Sequence, residues 1–374
     1  MSNQKDKTVS ARRKFLSGAA AATAGAATLG FPMLAKAQGP ISMRWQSTWP
    51  AKDIFHEYAN DFAKKVNDMT GGELKIEVLP AGAVVPAFGL LDAVSKGTLD
   101  GGHGVLVYHY GKQNALALWG SGPAFGMDAN ELLSWHKYGG GRDLLNKLYA
   151  SIGANVVSYP YGPMPTQPLG WFKKPITKAA DFKGLKYRTV GISIDVFTGM
   201  GAAVNALPGG EIVPAMDRGL LDAAEFNNAT SDRILGFADV SKVCMLQSYH
   251  QNAEQFEITF NKTKFDALPA KMKAIIDNAV EAASQDMSWK AIDRYSKDYS
   301  EMAAGGIEFY KTPDSVLQNQ LAGYDTAIAK RADNALFNEI LASQKKFAER
   351  VVKWDLDNNV NRRMAYNYYF GKKA

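Results

Sequence analysis

A ten-residue pattern that occurs twice constrains the fold of this chain more than any other feature of its sequence. The segments 93–102 (AVSKGTLDGG) and 215–224 (AMDRGLLDAA) share Ala-x-x-[Lys/Arg]-Gly-x-Leu-Asp and then two small residues. The helix dipole favours a basic residue in the last turn of a helix, and a following Gly can adopt the left-handed conformation that ends it. We therefore interpret each copy as a helix end, a glycine cap and a strand that begins on Leu-Asp. The small residues after each Asp let a ligand or another backbone approach closely.

Two such corners indicate two similar α/β lobes, and small ligands commonly bind in a cleft between lobes. Residues 41–45 and 74–78 alternate as strands, a helix lies between them, and 104–108 forms an apolar strand after the first corner. This order favours a mostly parallel sheet with helices on its faces. A chance repeat within one large α/β domain is the alternative.

The N-terminus has the pattern of an export signal. Arg12 and Arg13 precede a mildly apolar run over 18–30, and Ala35-Lys36-Ala37 has the A-x-A form of a cleavage site. Paired arginines before a weakly hydrophobic core indicate a twin-arginine signal over 1–37, with a mature chain that begins near Gln38. A periplasmic protein is therefore expected. The alternative is a cytoplasmic protein with a chance Arg-Arg pair.

The apparent basicity of the chain comes from this segment. The full sequence carries a net charge of +6, whereas the residues after 37 hold 37 basic and 36 acidic side chains. A near-neutral mature protein gives no reason to expect a nucleic-acid partner. The single cysteine, Cys244, cannot form an internal disulfide, and its apolar surroundings in the sequence predict a buried free thiol.

The C-terminal third changes character after Pro269. The pattern predicts a long helix over 270–304, a last strand over 306–310 and nearly continuous helix over 313–369. An apolar stripe there consists of Phe337, Ile340, Leu341, Phe347, Val351 and Trp354. Packing on the chain itself is one explanation of this stripe. A subunit interface, and hence a homodimer, is the other, since aromatic residues crowd 364–370.

Motifs of catalysis, nucleotide binding and metal binding are missing from the sequence. It contains no C-x-x-C, H-E-x-x-H, G-x-S-x-G or P-loop pattern. The glycines at 199–204 lie before a predicted strand and are interpreted as packing residues. Four histidines (His56, His103, His109 and His136) are expected at the surface or in the core, while His250 stands in a loop that could line a cleft.

Two positions stand out as candidate ligand-binding groups. Arg188 ends an alternating strand, where a guanidinium can hold a carboxylate through two parallel hydrogen bonds. A surface salt bridge is its alternative explanation. Glu225 follows the second corner and needs a countercharge if it is buried. A hard cation is one such countercharge, and Gln167, fixed between two prolines, offers an amide oxygen of the type that these cations bind.

The chain resembles the periplasmic substrate-binding subunits of tripartite ATP-independent (TRAP) transporters, in particular the branch that binds 2-oxo or 2-hydroxy monocarboxylates. The resemblance runs from about Met43 to the C-terminal helices. Five segments carry it: Trp45–Pro50, Val94–Asp100, Gly170–Ile176, Phe182–Arg188 and Gly219–Glu225. It implies a two-lobed periplasmic binding protein fold with long C-terminal helices, which can swap between the subunits of a dimer.

The resemblance also assigns roles within the cleft. It implies that Arg188 binds the substrate carboxylate, and that Gln167, Glu225 and the backbone carbonyl of Phe226 hold a sodium or calcium ion that bridges to the substrate. Trp49, Tyr108 and Tyr161 are expected as wall residues. Relatives usually carry Trp at 226 and a more Trp/Gly-rich run at 248–252, so His250 and Gln251 are expected to modify ligand choice.

The expected organisation places 40–163 with about 232–268 in lobe I, 164–231 with about 269–310 in lobe II, and 311–374 in a C-terminal helical segment. The expected function is non-enzymatic capture of a small organic acid for a pair of membrane permease subunits. Two alternatives are an exported redox enzyme with a cofactor and a sensor subunit that reports the ligand.

Overall fold

The computed structural model describes residues 39–371, so the predicted signal over 1–37 lies outside the described residues. Residues from Ile41 onward form one compact unit. Its strands are β1 (Ile41–Ser47), β2 (Leu74–Leu79), β3 (Gly101–Gly104), β4 (Val156–Met164), β5 (Gly170–Phe172), β6 (Lys186–Arg188), β7 (Ala203–Asn205), β8 (Ala223–Ala224), β9 (Val243–Leu246), β10 (Glu254–Asn261) and β11 (Glu308–Lys311).

The α-helices alternate with these strands and then dominate the C-terminal third. They are α1 (Ile54–Met69), α2 (Leu90–Ser95), α3 (Ala129–Tyr138), α4 (Gly141–Ser151), α5 (Ser193–Gly199), α6 (Gly209–Asp217), α7 (Ala229–Leu235), α8 (Phe237–Val240), α9 (Lys262–Asp266), α10 (Ala270–Ala304), α11 (Asp314–Ala329), α12 (Ala335–Asn358) and α13 (Arg362–Phe370). No helix in the described part of the chain is apolar over a length that could cross a membrane.

The strands form two mixed sheets, ordered β2-β1-β3-β10-β4 and β11-β9-β5-β8-β6-β7. In the first sheet β1 lies parallel to β2 and β3, whereas β10 runs antiparallel to β3 and β4. In the second, β6 lies parallel to β7 and β8, and β5 runs antiparallel to β8 and β9. Each sheet is thus parallel where strands and helices alternate in sequence and antiparallel where the chain crosses from one sheet to the other.

Both predicted corners are present. Gly97 and Gly219 adopt left-handed φ angles of +77° and +70°, as a glycine that ends a helix does. The Asp100 carboxylate accepts a hydrogen bond from the Arg44 backbone N–H (2.8 Å), and the Asp222 carboxylate accepts one from Lys186 (3.1 Å). Each Asp therefore fixes the start of its corner strand beside the neighbouring parallel strand. The strands begin at Gly101 and Ala223, directly after the Leu-Asp pair on which they were predicted to begin.

Some expectations about the elements are wrong. The apolar run over 104–108 is not a strand: β3 ends at Gly104, and 106–109 form a 3₁₀ turn whose side chains are largely buried. The sheets are mixed rather than mostly parallel, because β5 and β10 enter them from distant parts of the chain. An apolar stretch of sequence predicts that its residues are buried, but it does not distinguish a strand from a buried turn.

The expected lobe boundaries also differ from the observed pairing at two places. Strand β9 was expected in the first lobe, but it pairs with β5 and β11 in the second sheet. Helix α10 was expected in the second lobe, yet it packs against α1 and β4 of the first sheet as well as against α7. Both placements depend on long-range contacts, and the sequence near these elements carries no signal of them.

The C-terminal helices divide into a packed part and an exposed part. Helix α12 packs on α3 and α4 through Phe337 and Ile340, which are buried. Trp354 is 62% exposed, and every residue of α13 is exposed. The first half of the apolar stripe is therefore covered by the chain itself. Cys244 is buried in β9, as its surroundings in the sequence predicted.

Candidate functional site

A small cavity lies where the connections of the two sheets meet. Its walls are Trp49, Phe55, Val105, Tyr108, Met164, Gln167, Arg188, Val190, Phe226, Asn227, Gln251 and Glu254. The structure thus brings together five of the predicted ligand-binding residues: Trp49, Tyr108, Gln167, Arg188 and Phe226. Aromatic and aliphatic side chains form most of the wall, and a few polar groups converge on it, as in most small-molecule sites.

Arg188 ends β6 and is held rigidly beside the cavity. Its Nε donates to the Leu207 carbonyl (2.8 Å), and its Nη1 donates to the Glu225 carboxylate (2.8 Å) and to the Glu225 carbonyl (3.2 Å). Burial alone would lower the pKa of Arg188, but the Glu225 carboxylate and Tyr108 hold it above its ordinary value. Among the described residues, no hydrogen-bond acceptor meets Nη2. A fixed guanidinium therefore retains a free donor.

Glu225 is the counterion of Arg188. The two side chains are 1% and 0% exposed, which excludes the alternative that Arg188 makes an ordinary surface salt bridge. The second carboxylate oxygen, Oε2, has no hydrogen-bond partner among the described residues and lies 4.0 Å from His250 Nε2. Burial lowers the pKa of His250 to about 3, so that its ring is neutral and does not offset the Glu225 charge.

Glu254, the first residue of β10, is a second buried carboxylate that sequence reasoning missed. Its Oε2 accepts hydrogen bonds from Gln167 Nε2 (2.6 Å) and Gln251 Nε2 (2.9 Å). Both amides thus turn their N–H groups toward the same carboxyl oxygen. The amide oxygens of both glutamines and Glu254 Oε1 remain without partners among the described residues. Burial, with the nearby Glu225 charge, raises the pKa of Glu254 to about 8.

Behind the wall, a chain of hydrogen bonds fixes the indole of Trp49. Trp49 Nε1 donates to His103 Nδ1 (2.8 Å), and the Tyr161 hydroxyl lies 2.5 Å from His103 Nε2. Burial lowers the pKa of His103 to about 3, which keeps the ring neutral. His103 is therefore a core histidine that orients a wall residue.

Two predicted site residues lie behind the wall rather than in it. Tyr161 was expected as a wall residue, but its hydroxyl turns toward His103 because β4 directs the side chain into the first sheet's core. His250 was expected to line the cleft, but it packs against Phe197 and is bound through Nδ1 to Ser248. Neither residue is part of the cavity wall.

The donor set fits a hard cation. Free carboxylate and amide oxygens at Glu225, Glu254, Gln167 and Gln251 are the ligand type that sodium and calcium prefer. Phe226, whose backbone carbonyl was predicted as a ligand, lies in the wall with its ring 5.9 Å from the Arg188 guanidinium carbon. Within the described residues, no three His, Cys, Asp or Glu side chains gather as a metal cluster, so amide or backbone oxygens have to contribute.

Comparison with known proteins identifies the family of this chain. Residues 46–332 match the family of bacterial extracellular solute-binding proteins, family 7. A monocarboxylate 2-oxoacid-binding periplasmic protein from a Nostoc species is 31% identical over 356 residues, which cover 94% of this chain and 97% of the relative.

Two solved structures of TRAP solute-binding proteins share the fold. One, from Bordetella bronchiseptica with co-purified calcium and picolinate, is 27% identical, with a TM-score of 0.83 and coverage of 89% of this chain and 98% of the other. Another, from Pseudoalteromonas atlantica with sodium and pyruvate, is also 27% identical, with a TM-score of 0.81 and coverage of 88% and 99%. The predicted two-lobed α/β class is confirmed, and the redox-enzyme alternative is not favoured. The chain belongs to bacterial extracellular solute-binding protein family 7, and its predicted membership among the substrate-binding subunits of TRAP transporters is confirmed.

Proposed function

We propose that this protein binds a small monocarboxylate, of the 2-oxo or 2-hydroxy class, together with a cation, and delivers it to TRAP-type permease subunits. One observation carries the proposal: a buried guanidinium with a free donor faces a cavity whose other polar groups are mostly free oxygens. The guanidinium suits an anionic group, and the oxygens suit a cation. A ligand carboxylate and a cation together satisfy both sets.

The roles follow from the surroundings of each residue. Arg188 binds the carboxylate through Nη2, while Glu225 and the Leu207 carbonyl hold its other nitrogens. Gln167, Glu225 and the Phe226 carbonyl hold the cation, whose positive charge draws the remaining ligand oxygens. Trp49 and Tyr108 close the apolar wall around the rest of the ligand. His250 lies behind Glu225 and affects ligand binding through that carboxylate.

The cavity also limits the ligand. Arg188 is its single guanidinium, so a second carboxylate on the ligand would meet no second basic side chain in the wall. The named ligands of the similar proteins (2-oxoacids, pyruvate and picolinate) support this class.

Several finer features belong to the same proposal. The two sheets with their helices act as lobes that close over the ligand and exclude water, which strengthens each charged contact. The protein catalyses no reaction, reaches the periplasm by the twin-arginine route, and forms a homodimer through the exposed aromatic face of α12 and α13. A dimer in one similar crystal structure supports the last of these.

A thermal-shift screen of organic acids, with calcium, with sodium and with neither, tests the proposal. We expect stabilisation by 2-oxo or 2-hydroxy monocarboxylates, enhanced by one of the cations. Calorimetry on the best acid then gives its affinity, and NMR of the recovered acid checks that it is unchanged. Stabilisation by no acid under any condition, or conversion of the acid, would contradict the proposal.

A further inference from the structure

The two buried carboxylates of the site have different surroundings. Glu225 gives one oxygen to Arg188 at 2.8 Å and is not part of the cavity wall. Glu254 lies in the wall and receives hydrogen bonds only from the neutral amides of Gln167 and Gln251. The positive charge of the site is thus already paired with Glu225. Glu254 has no cationic hydrogen-bond partner among the described residues, although it is only 3% exposed.

We propose that Glu254, together with the amide oxygens beside it, is a direct ligand of the bound cation. The inference rests on the proposed function, because it assigns a further ligand to the cation site of the same cavity. It adds to Glu225, which also neutralises Arg188, a second carboxylate that lies in the cavity wall.

Free oxygens around Glu254 support a direct ligand role. Glu254 Oε1, Gln167 Oε1 and Gln251 Oε1 are buried and without partners among the described residues. Gln167 and Gln251 are also joined by a backbone hydrogen bond of 3.3 Å, which fixes one amide beside the other. Hydrogen bonds to a shared carboxylate hold both side chains in place. A small cation would meet three oxygens from segments that are already fixed.

A cation would also compensate a buried carboxylate that lacks a countercharge. Arg188 is already paired with Glu225. Glu254 has only the neutral amides of Gln167 and Gln251 as hydrogen-bond partners. A buried charge without a countercharge is strongly unfavourable, so a cation beside Glu254 stabilises its ionised form.

Calorimetric titration of the full chain, first stripped of ions with EDTA, with calcium alone tests this inference, and thermal-shift titration with sodium alone gives the comparison. Glu254→Gln keeps the shape of the side chain and removes its charge. We expect it to lower the calcium affinity by about 100-fold, since charge count and ligand number set calcium affinity. The thermal shift caused by sodium should decrease as well, because Glu254 is a ligand of whichever cation the site holds.

Glu257→Gln is the matched control. Glu257 lies three residues further along β10, is also buried, and is hydrogen-bonded by Ser158 at 2.5 Å, but it is not part of the cavity wall. We expect this variant to bind calcium as the unmodified protein does. Calcium affinity of Glu254→Gln within about threefold of the unmodified protein would overturn the inference.

A crystal structure of the unmodified protein with calcium gives a test that does not depend on how the variant folds. An oxygen of Glu254 within about 2.6 Å of the ion would support the inference, and a calcium ion bound with Glu254 turned away would overturn it. The proposed function fails separately. It fails if the unmodified protein binds no organic acid in the presence of either cation, whereas acid binding with unchanged calcium affinity in Glu254→Gln contradicts only the role of Glu254.

Discussion

The two helix-to-strand corners have the same backbone pattern and lead to different chemistry. In each, the residue before the Asp donates its N–H to an Ala carbonyl in the preceding helix: Leu99 to Ala93 and Leu221 to Ala215, both at 3.2 Å. Three residues after the shared Asp, the first corner carries His103 and the second carries Glu225.

His103 is neutral and is bound by two aromatic side chains, whereas Glu225 is charged and paired with Arg188. The corner is thus a scaffold that places one side chain at the mouth of a strand. The identity of that side chain decides whether the strand end supports a wall residue or an ion pair.

Breaking the Arg188–Glu225 ion pair is expected to give the largest difference between the two corners. Arg188→Ala should lower the affinity for the acid by more than about 100-fold, because loss of one partner of a buried charge pair costs about 2–5 kcal/mol. Calorimetry measures the loss, and circular dichroism checks that the protein is folded. Arg233→Ala is the control, since Arg233 makes partly exposed ion pairs on α7 and should leave the affinity unchanged. Equal affinity in the Arg188 variant would contradict its role.

Removal of the cation is expected to give the second largest difference between the two corners. Acid binding depends on oxygens beside the second corner, so chelation in sodium-free buffer should weaken it by at least about tenfold. The packing of Trp49 on His103 and Tyr161 needs no ion, so Trp fluorescence of the acid-free protein should stay unchanged. Equal acid affinity with and without cations would show that acid binding beside the second corner needs no ion.

A smaller effect is expected from the shared Asp residues. Asp100→Ala and Asp222→Ala each remove an acceptor for the amide of the adjacent strand, which should lower the free energy of unfolding by about 1 kcal/mol in both. Only Asp222→Ala should also weaken acid binding, by a few-fold, because β6 carries Arg188 two residues after Lys186. Urea unfolding and calorimetry test the pair. Equal effects of the two variants on acid affinity would show that the two Asp residues do not differ in their contribution to ligand binding.

The capping glycines should give the smallest and most similar effects. A Cβ at Gly219 would have nothing within 4 Å, and one at Gly97 would meet Asn261 Nδ2 at 3.7 Å, so only the left-handed backbone opposes substitution. Gly97→Ala and Gly219→Ala should each cost about 1 kcal/mol, with little change in acid affinity. Thermal melts measure this cost. A large difference between the two would show that the corners are not equivalent.

The sequence made the corners predictable because their signal is local. Gly97 and Gly219 each follow a basic residue at the end of a helix and precede Leu-Asp, and this order alone predicts a cap and a strand. Arg188, Gln167 and Phe226 were found in the same way or through the resemblance to TRAP subunits, and they meet at one cavity.

Glu254 could not be found in this way. It is the first residue of a strand that is buried along its whole length, and its carboxylate reaches Gln167 only because β10 pairs with β4 opposite Met164. The placement of β9 in the second sheet depends on long-range pairing too. An acid at the start of an alternating strand was the one signal available, since such a group needs a partner when it is buried.

A crystal structure with the acid that stabilises the protein most tests the central claim most directly. The account predicts the acid in the cavity, with its carboxylate at Arg188 Nη2 and a cation between its remaining oxygens and Gln167. An acid bound away from Arg188, or bound at this cavity with no cation near Gln167, would contradict the account.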